Sequence, residues 1–336
     1  WAPRLGALYD WTKEGRSKIY AHWGRFYESI PMDINNRSFG GEVSYQQWFD
    51  PSQCGGTVDE IGSVDANNCP YTDNMEEPGD GQVLFGSGVL VAPGIKPQYM
   101  DETIFGVEYE VMEDLKLGLA YQNRRLGRVI EDVSTDGAAT YIIANPGEWS
   151  EDEEAKLVEE LARAESACDA MPGSEACDDR DRLNNELRQF QGIRVFDKPQ
   201  RDYNALQFTV TRRFSKALYM QGSYTYSRTE GNFPGLFSPD NGQVDPNISS
   251  QYDLIELLAN RNGPLPQDRP HYVKLDGYYT FDFKKAGQAT AGIRFRALSG
   301  VPVDVVGTHF RYGPNESFLL PRGEIRRTDF ETGLDV

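Results

Sequence analysis

The sequence predicts an all-β fold, a segment of an antiparallel transmembrane β-barrel in which about nine long strands form an open meander. Apolar and polar residues alternate along runs that often exceed ten residues, whereas strands of ordinary sheets average about five or six. The connections between these runs are alternately short and long, as in bacterial outer-membrane barrels, where tight periplasmic turns lie opposite long extracellular loops.

The predicted strands cover most of the chain apart from its long connections. Their approximate bounds are Pro3–Asp10, Ser17–Glu28, Gln98–Met112, Leu115–Val133, Arg201–Arg213, Ala217–Thr229, Arg269–Phe283, Gln288–Ser299 and Arg327–Val336. In the run that starts at Leu115, leucine or tyrosine occupies every second position as far as Tyr121. Such a strand has one apolar and one polar side, and in a barrel the apolar side contacts lipid.

The polar side of these strands is therefore predicted to face the barrel lumen. The polar residues predicted to line the lumen are Lys116, Gln122, Arg124, Gln207, Thr209, Arg294 and Arg296. They offer a substrate many polar contacts but no reactive group, which favours passage or capture over catalysis.

The lengths of the connections distinguish a membrane barrel from a soluble sandwich. Four are tight, at Trp11–Arg16, Glu113–Asp114, Phe214–Lys216 and Lys284–Gly287. Four are long, at Ser29–Pro97, Ser134–Gln200, Glu230–Asp268 and about Gly300–Arg326. Structureless loops of that length are uncommon in compact soluble domains. The first and last strands are expected to lack partners, so that the sheet is curved and open rather than a small closed barrel.

One segment departs from the β pattern and predicts a helical hairpin insert, residues 150–192, within an extracellular loop. Ser150 and Glu153 have the spacing of a capping box. Apolar residues then recur at helical spacing, at Leu157, Leu161, Ala164 and Cys168 in a first helix and at Leu183, Leu187 and Phe190 in a second. The insert is either a surface lid or partner-binding element, or an addition without a role.

The four cysteines fall into two close pairs, each within one long connection. Without a CxxC motif, two local disulfides, Cys54–Cys69 and Cys168–Cys177, are favoured over a zinc site, and free thiols remain the alternative. Disulfides would place the protein in an oxidising compartment outside the cytosol.

Composition restricts the class of protein further. The net charge of −18 argues against a nucleic-acid partner. No apolar run approaches the roughly 18 residues that a membrane-spanning helix needs, whereas membrane strands escape this criterion because only alternate residues face lipid. The chain begins with Trp1, so we expect it to be a fragment without its signal peptide.

Nothing in the sequence indicates an enzyme or a cofactor. His22, His271 and His309 lie on different elements, without cysteine or carboxylate neighbours at metal-ligand spacing. Motifs for nucleophilic, zinc-dependent or nucleotide-dependent chemistry are also missing.

Three stretches carry a family resemblance. They are "WAPRLGALYDWTKEGRSKIYAHWGRFYESIPMDINNRSFGGE" (1–42), "KPQYMDETIFGVEYEVMEDLKLGLAYQNRRLGRVIEDVS" (96–134) and "DRPHYVKLDGYYTF" (268–281). They resemble the barrel of TonB-dependent outer-membrane receptors, specifically the Oar-like group. The resemblance implies a barrel of about 22 strands around an N-terminal plug. This chain, residues 1–336, would be a middle-to-late part of that barrel.

The resemblance also implies location and function. We expect the bacterial outer membrane as the location, its lipid and TonB-type coupling machinery as partners, and an unknown extracellular ligand as cargo, with the plug and the TonB box outside this chain. The expected function is energy-coupled passage of an unidentified substrate. A passive porin, or a surface adhesion or signalling protein, would share the strand features and stays an alternative.

Overall fold

A computed structural model of the chain describes residues 1–28, 43–46, 82–85, 89–213, 217–235, 237 and 250–336. Its contacts divide the chain into two units. Residues 1–30 and 92–336 form the first unit, and residues 31–91 form the second. All of the predicted strands and the predicted helical hairpin belong to the first unit.

The secondary structure is mostly antiparallel β-sheet with two helices. The strands are β1 Arg4–Tyr9, β2 Ser17–Tyr27, β3 Val43–Gln46, β4 Gln82–Phe85, β5 Leu90–Val91, β6 Tyr99–Met112, β7 Leu115–Arg128, β8 Glu131–Val133, β9 Ile142–Ala144, β10 Arg201–Arg213, β11 Leu218–Gly231, β12 Gly263–Pro264, β13 His271–Asp282, β14 Gln288–Leu298, β15 Pro302–Val303, β16 Val306–His309, β17 Gly313–Phe318, β18 Arg326–Arg327 and β19 Glu331–Asp335. The helices are α1 Glu151–Ala170 and α2 Glu175–Gly192.

One large sheet carries the first unit. Its strands lie in the order β1-β2-β6-β7-β10-β11-β13-β14-β19, which is also their order along the chain, and β12 pairs with β11 beside this path. Every pairing is antiparallel, so the sheet is a meander. Within the described residues β1 and β19 do not pair with each other, and the barrel is open. The predicted fold class is confirmed.

Two predicted strands differ from the structure by more than two residues at one end. The run predicted as Leu115–Val133 ends its pairing in the large sheet at Arg128, and Glu131–Val133 pairs instead with Ile142–Ala144. Val129 and Ile130, which lie between these two strands, are both buried. The chain therefore leaves the large sheet at the point where protein covers both of the chain's sides. The last strand was predicted to begin at Arg327 but begins at Glu331, because Arg326–Arg327 pairs with Pro302–Val303.

Two of the tight connections show why they are so short. At Asp10 the carboxylate accepts hydrogen bonds from the backbone N–H groups of Thr12 at 3.0 Å and Gly15 at 2.7 Å, which closes the turn. Between β6 and β7 the turn consists of Glu113 and Asp114, and Asp114 has a φ of 61°. Aspartate tolerates this left-handed conformation better than most residues do, so it suits a tight hairpin turn.

The long connections at the opposite end of the sheet form an ordered loop layer, here defined as residues 129–200, 232–235, 250–270 and 299–330. The apolar part of its core consists of Val133, Ile142, Ile143, Ala144, Phe190, Ile193, Phe196, Phe233, Tyr252, Leu254, Leu257, Leu265 and Phe318, all of them buried. The Tyr252 ring lies 6.0 Å from Phe196 and 6.5 Å from Phe233, so two of the long connections share one core. Apart from the helical hairpin and a few strand residues at their edges, these segments are predicted from the sequence only as loops.

The helical hairpin has the ends and the apolar stripe that the sequence indicates. Ser150 is the N-cap of α1, and its side chain accepts a hydrogen bond from the backbone N–H of Glu153 at 3.4 Å. Leu157 and Cys168 are buried in α1, as are Leu183 and Phe190 in α2. Among the described residues, no helix combines the length and apolarity needed to cross a membrane.

The second unit is described only in part. Strands β3 and β4 pair antiparallel, with Val43 opposite Phe85 and Gln46 opposite Gln82. Strand β5 covers Leu90–Val91.

Candidate functional site

The register of the large sheet assigns each strand residue to one of two faces. Directly opposed residues on neighbouring strands share a face. Gln207 lies opposite Thr225, and Thr225 lies opposite Tyr272. Followed across all strands, this register places the polar residues that the sequence singled out on one face, here called the polar face: Lys116, Gln122, Arg124, Gln207, Thr209, Arg294 and Arg296. That this face borders a lumen remains a prediction.

Ion pairs cross the strands on the polar face. The Glu108 carboxylate contacts the ammonium groups of Lys18 at 3.2 Å and Lys116 at 3.0 Å, so that three neighbouring strands are joined. Glu102 accepts hydrogen bonds from Arg124 at 2.5 Å and Gln122 at 3.0 Å. The charges on this half of the face therefore neutralise one another.

A second ion cluster lies on β13 and β14. The Asp276 carboxylate accepts two hydrogen bonds from Arg296, both at 2.9 Å, and a longer one from Arg294 at 3.3 Å. The cations on β7 and β14 were predicted from the sequence, whereas their acidic partners, Glu102, Glu108 and Asp276, were not. The same alternation could have found these carboxylates, because each occupies a polar position of its own strand.

The opposite face, here called the apolar face, exposes a band of large hydrophobic side chains. Several of them are near half accessible, and a contiguous exposed band of this kind is unusual in a soluble protein. Across the middle of the sheet one register row of this band consists of Ile19, Val107, Leu119, Phe208, Tyr224 and Val273. Leu119 and Phe208 are each 44% exposed. A band of this kind is what a lipid-facing surface requires.

A row of charged residues borders the band toward the loop layer. Along one register line the apolar face carries Arg25, Asp101, Arg125, Asp202 and Glu230, one from each of five adjacent strands. Arg25 donates two hydrogen bonds to Asp101, at 2.8 and 2.9 Å, and Arg125 donates one to Asp202 at 2.8 Å. We call this line the charged row. The charged row ends the apolar band on the side of the loop layer.

Aromatic residues occupy both ends of the apolar face. At the tight-turn end Phe281 lies 4.7 Å from Tyr279 and 6.3 Å from Phe283, and Trp11 stacks on Tyr109 at 5.7 Å. Trp23 and Tyr27 lie on the same face near the loop layer, opposite Thr103 and Tyr99 on β6. Phe26, in contrast, lies on the polar face, where the Arg4 guanidinium is 4.6 Å from its ring centroid. Apart from Phe26, these positions suit interfacial girdles.

One of the two predicted disulfides is present. Cys168 and Cys177 are bonded between the end of α1 and the start of α2, with their Cα atoms 4.7 Å apart. Cys54 and Cys69 lie outside the described residues, so their pairing stays a prediction.

The three histidines do not come together. His22 lies on the polar face of β2, His271 contacts the Tyr224 hydroxyl at 2.8 Å, and His309 is buried in the loop layer. In the part of the chain that the structure describes, no three histidine, cysteine or carboxylate side chains form a group that could hold a metal ion.

The loop layer contains a carboxylate that makes its stability depend on pH. Burial raises the pKa of Asp136, but hydrogen bonds from Thr140, Ser134 and the Ala139 N–H outweigh this effect and hold the pKa at about 2. Gln189 of α2 also donates to this carboxylate, at 2.9 Å.

Acid is therefore expected to loosen the contact between α2 and residues 134–140. A carboxylate whose folded pKa lies below its unfolded value of about 3.9 contributes stability above pH 4, and the contribution, about 2 kcal/mol, disappears as the pH falls toward 2. Hydrogen exchange of peptides from 134–140, followed between pH 5 and pH 2, measures this loss. Asp136→Asn should remove the pH dependence, and an unchanged profile in that variant would assign it to another group.

The fold and its two faces define a transmembrane β-barrel wall, and comparison with known proteins agrees. The chain belongs to the outer membrane beta barrel domain family, whose model matches residues 1–301. The TonB-dependent transporter Oar of Myxococcus xanthus is 33% identical over 348 residues, an alignment that covers 100% of this chain and 29% of that relative. The predicted Oar-like resemblance is confirmed, and the protein is located in the bacterial outer membrane.

Solved structures give more distant matches. The siderophore receptor PiuA from Acinetobacter baumannii aligns over 99% of this chain and 28% of its own, with 10% identity and a TM-score of 0.43. The outer membrane transporter YddB from Escherichia coli aligns over 99% of this chain and 34% of its own, with 11% identity and a TM-score of 0.44. This chain thus spans about a third or less of the length of each relative.

Proposed function

We propose that this chain forms part of the wall of a receptor or transporter barrel, through which an unidentified substrate crosses the outer membrane with the help of energy coupling. The apolar face contacts lipid and the polar face borders the lumen. The loop layer, with residues 150–192 as a helical insert, lies on the extracellular side. The complete protein would contact TonB-type machinery through parts outside this chain.

The two-faced sheet is the observation that carries the proposal. A band of exposed leucine, phenylalanine and isoleucine side chains covers one face, while neutralised ion pairs cross the other. A soluble sheet would cover the apolar band with a second layer, whereas a barrel leaves it to the lipid. The two faces support passage of a substrate. The similarity to a TonB-dependent transporter supports the proposal that this passage is coupled to energy.

Cell fractionation and energy depletion test this function. The complete protein should be recovered with the outer membrane, and a tag inserted at Gly173, between the two helices, should bind antibody on intact cells. Transport or receptor activity should disappear when the proton-motive force is collapsed. Activity that continues without that force would support a passive porin, and a protein recovered from the periplasm would refute both.

Neighbouring residues on β10 test the assignment of the two faces. Gln207 lies on the polar face and Phe208 on the apolar face. We expect a probe attached at Phe208→Cys to be quenched by brominated lipid tails, because its side chain contacts hydrocarbon. The same probe at Gln207→Cys should escape this quenching. Equal quenching at both positions, or the reverse order, would contradict the assignment.

A further inference from the structure

A depression of about 540 Å³ lies on the polar face, close to the loop layer. This volume falls within the range of about 300–1,000 Å³ that small-molecule sites occupy. Tyr20 forms part of its surface and lies directly across Gly106, where a Cβ atom would stand 2.4 Å from the ring. Only glycine at position 106 leaves space for the Tyr20 ring, so this part of the depression depends on the packing of Tyr20 over Gly106.

The charge at this depression differs from that of the surrounding face. Elsewhere on the polar face Lys18 and Lys116 share Glu108, and the two arginines of β14 share Asp276. Lys274, which lines the depression, lies 4.3 Å above the Tyr272 ring, and no carboxylate among the described residues contacts it.

The second cation of the depression, Arg269, already has a partner. It contacts Glu331 at 2.9 Å and donates a hydrogen bond to the Ser299 carbonyl at 3.2 Å. Among the residues that the structure describes, no aspartate or glutamate lines the depression itself. Lys274 therefore contributes positive charge that no described carboxylate of the site neutralises, in a chain whose net charge is −18.

The remaining surface of the depression consists mainly of hydroxyl and amide groups. Polar side chains there are Gln122, Gln207, Thr225, Ser227, Thr229 and Gln267, and the rings of Tyr203 and Tyr272 stand among them. Hydroxyls and side-chain amides both donate and accept hydrogen bonds, so they match a ligand that is rich in hydroxyl groups. The aromatic rings supply flat apolar surfaces between these groups.

We propose that this depression binds an acidic saccharide, with a sugar carboxylate on the Lys274 ammonium group and sugar hydroxyls on the surrounding hydroxyl and amide side chains. This inference rests on the proposed function, because the ligand must reach the polar face from the lumen. It also names the substrate class. The sugar carboxylate accounts for a lysine that no described carboxylate contacts, and the ring hydroxyls account for the uncharged polar lining.

Calorimetry with the complete protein in detergent micelles tests the proposal. The probes are trigalacturonate, the neutral trisaccharide galactotriose, and a tri-glutamate peptide. We expect trigalacturonate to bind measurably more tightly than the other two, and its affinity to fall as salt is added. Since hydrogen bonds to charged groups contribute about 1.5–3 kcal/mol, Lys274→Gln should weaken binding of trigalacturonate at least about tenfold.

Three variants accompany this measurement. Lys274→Arg should keep most of the affinity, Gln207→Glu should lower it by adding a negative charge to the depression, and Lys285→Gln in an exposed tight turn should have no effect. Gln207→Glu keeps the test decisive if Lys274→Gln does not fold.

Equal binding of galactotriose would refute the role of charge, and equal binding of tri-glutamate would refute the saccharide. An absence of trigalacturonate binding would refute the site. Binding in micelles needs no energy source. If trigalacturonate does not bind but transport still depends on the proton-motive force, only this inference is refuted. If trigalacturonate binds but transport does not depend on that force, only the proposed function is refuted.

Discussion

Replacing Leu119 by arginine is expected to destabilise the protein in a bilayer by about 2–4 kcal/mol, the cost of a cation on the lipid face near the membrane midplane. Leu119 lies in the middle of the apolar band, is 44% exposed, and is flanked on the same face by Val107 and Phe208. Its exposure in the absence of lipid means that a soluble protein would tolerate arginine there. Urea unfolding of the complete protein in lipid vesicles measures the difference.

Gln122→Arg is the matched control for Leu119→Arg. It introduces the same side chain on the same strand, three residues away, but on the polar face beside Glu102. Its effect should stay within about 0.5 kcal/mol, as for most surface substitutions. If both variants lose the same stability, lipid does not cover the apolar face and the barrel orientation proposed for the sheet is wrong.

Arg322→Met is expected to destabilise the loop layer by about 3–5 kcal/mol, because it removes a buried cation that contacts the Asp304 carboxylate. The Arg322 side chain is 0% exposed, its guanidinium contacts Asp304 at 3.3 Å, and it lies 4.4 Å from the centroid of the Phe318 ring. Arg322 also donates to the Arg261 carbonyl at 3.1 Å. Hydrogen exchange of peptides from 250–268 and 304–322 measures the loss of local protection.

Two further variants separate the charge effect from simple loss of packing. Arg326→Met changes an exposed arginine four residues along the chain and should alter exchange little. Combining Arg322→Met with Asp304→Asn should recover part of the lost protection, because the carboxylate is then neutral. A double variant that is as unstable as Arg322→Met would indicate that packing against Phe318, rather than charge, is the dominant contribution.

The strands of the large sheet could be predicted closely because their alternation is uninterrupted and several turns contain only a few residues. Arg201–Arg213 agrees at both ends, and four others agree within one residue at each end. Where one side of a strand faces lipid and the other faces polar groups, period-two alternation is the direct consequence. The helical hairpin was equally accessible, because its capping residues and its apolar stripe are local signals.

The loop layer could not be predicted in the same way. Its core joins residues from connections far apart in the chain, such as Phe196, Phe233 and Tyr252, and none of these segments is long enough to show a period. Val133 was assigned to the preceding strand because the alternation continues into it, although tertiary contacts direct it to β9. The depression at Lys274 was missed for a related reason, since a lysine that no described carboxylate contacts is visible only after the register has placed its neighbours.

The charged row also determines how thick a membrane this protein fits. On β11 the apolar face runs from Leu218 to Tyr226 before Arg228 and Glu230 begin. The eight steps from Leu218 to Tyr226, at about 3.3 Å each, give roughly 26 Å along the strand, or about 20 Å across the bilayer at a tilt of about 40°. The hydrocarbon region that matches this span is thin, as in bacterial outer membranes. In a thicker bilayer, hydrophobic mismatch would have one of two effects. Either the lipid would compress around the protein, or Arg25 and Asp101 would lie in hydrocarbon.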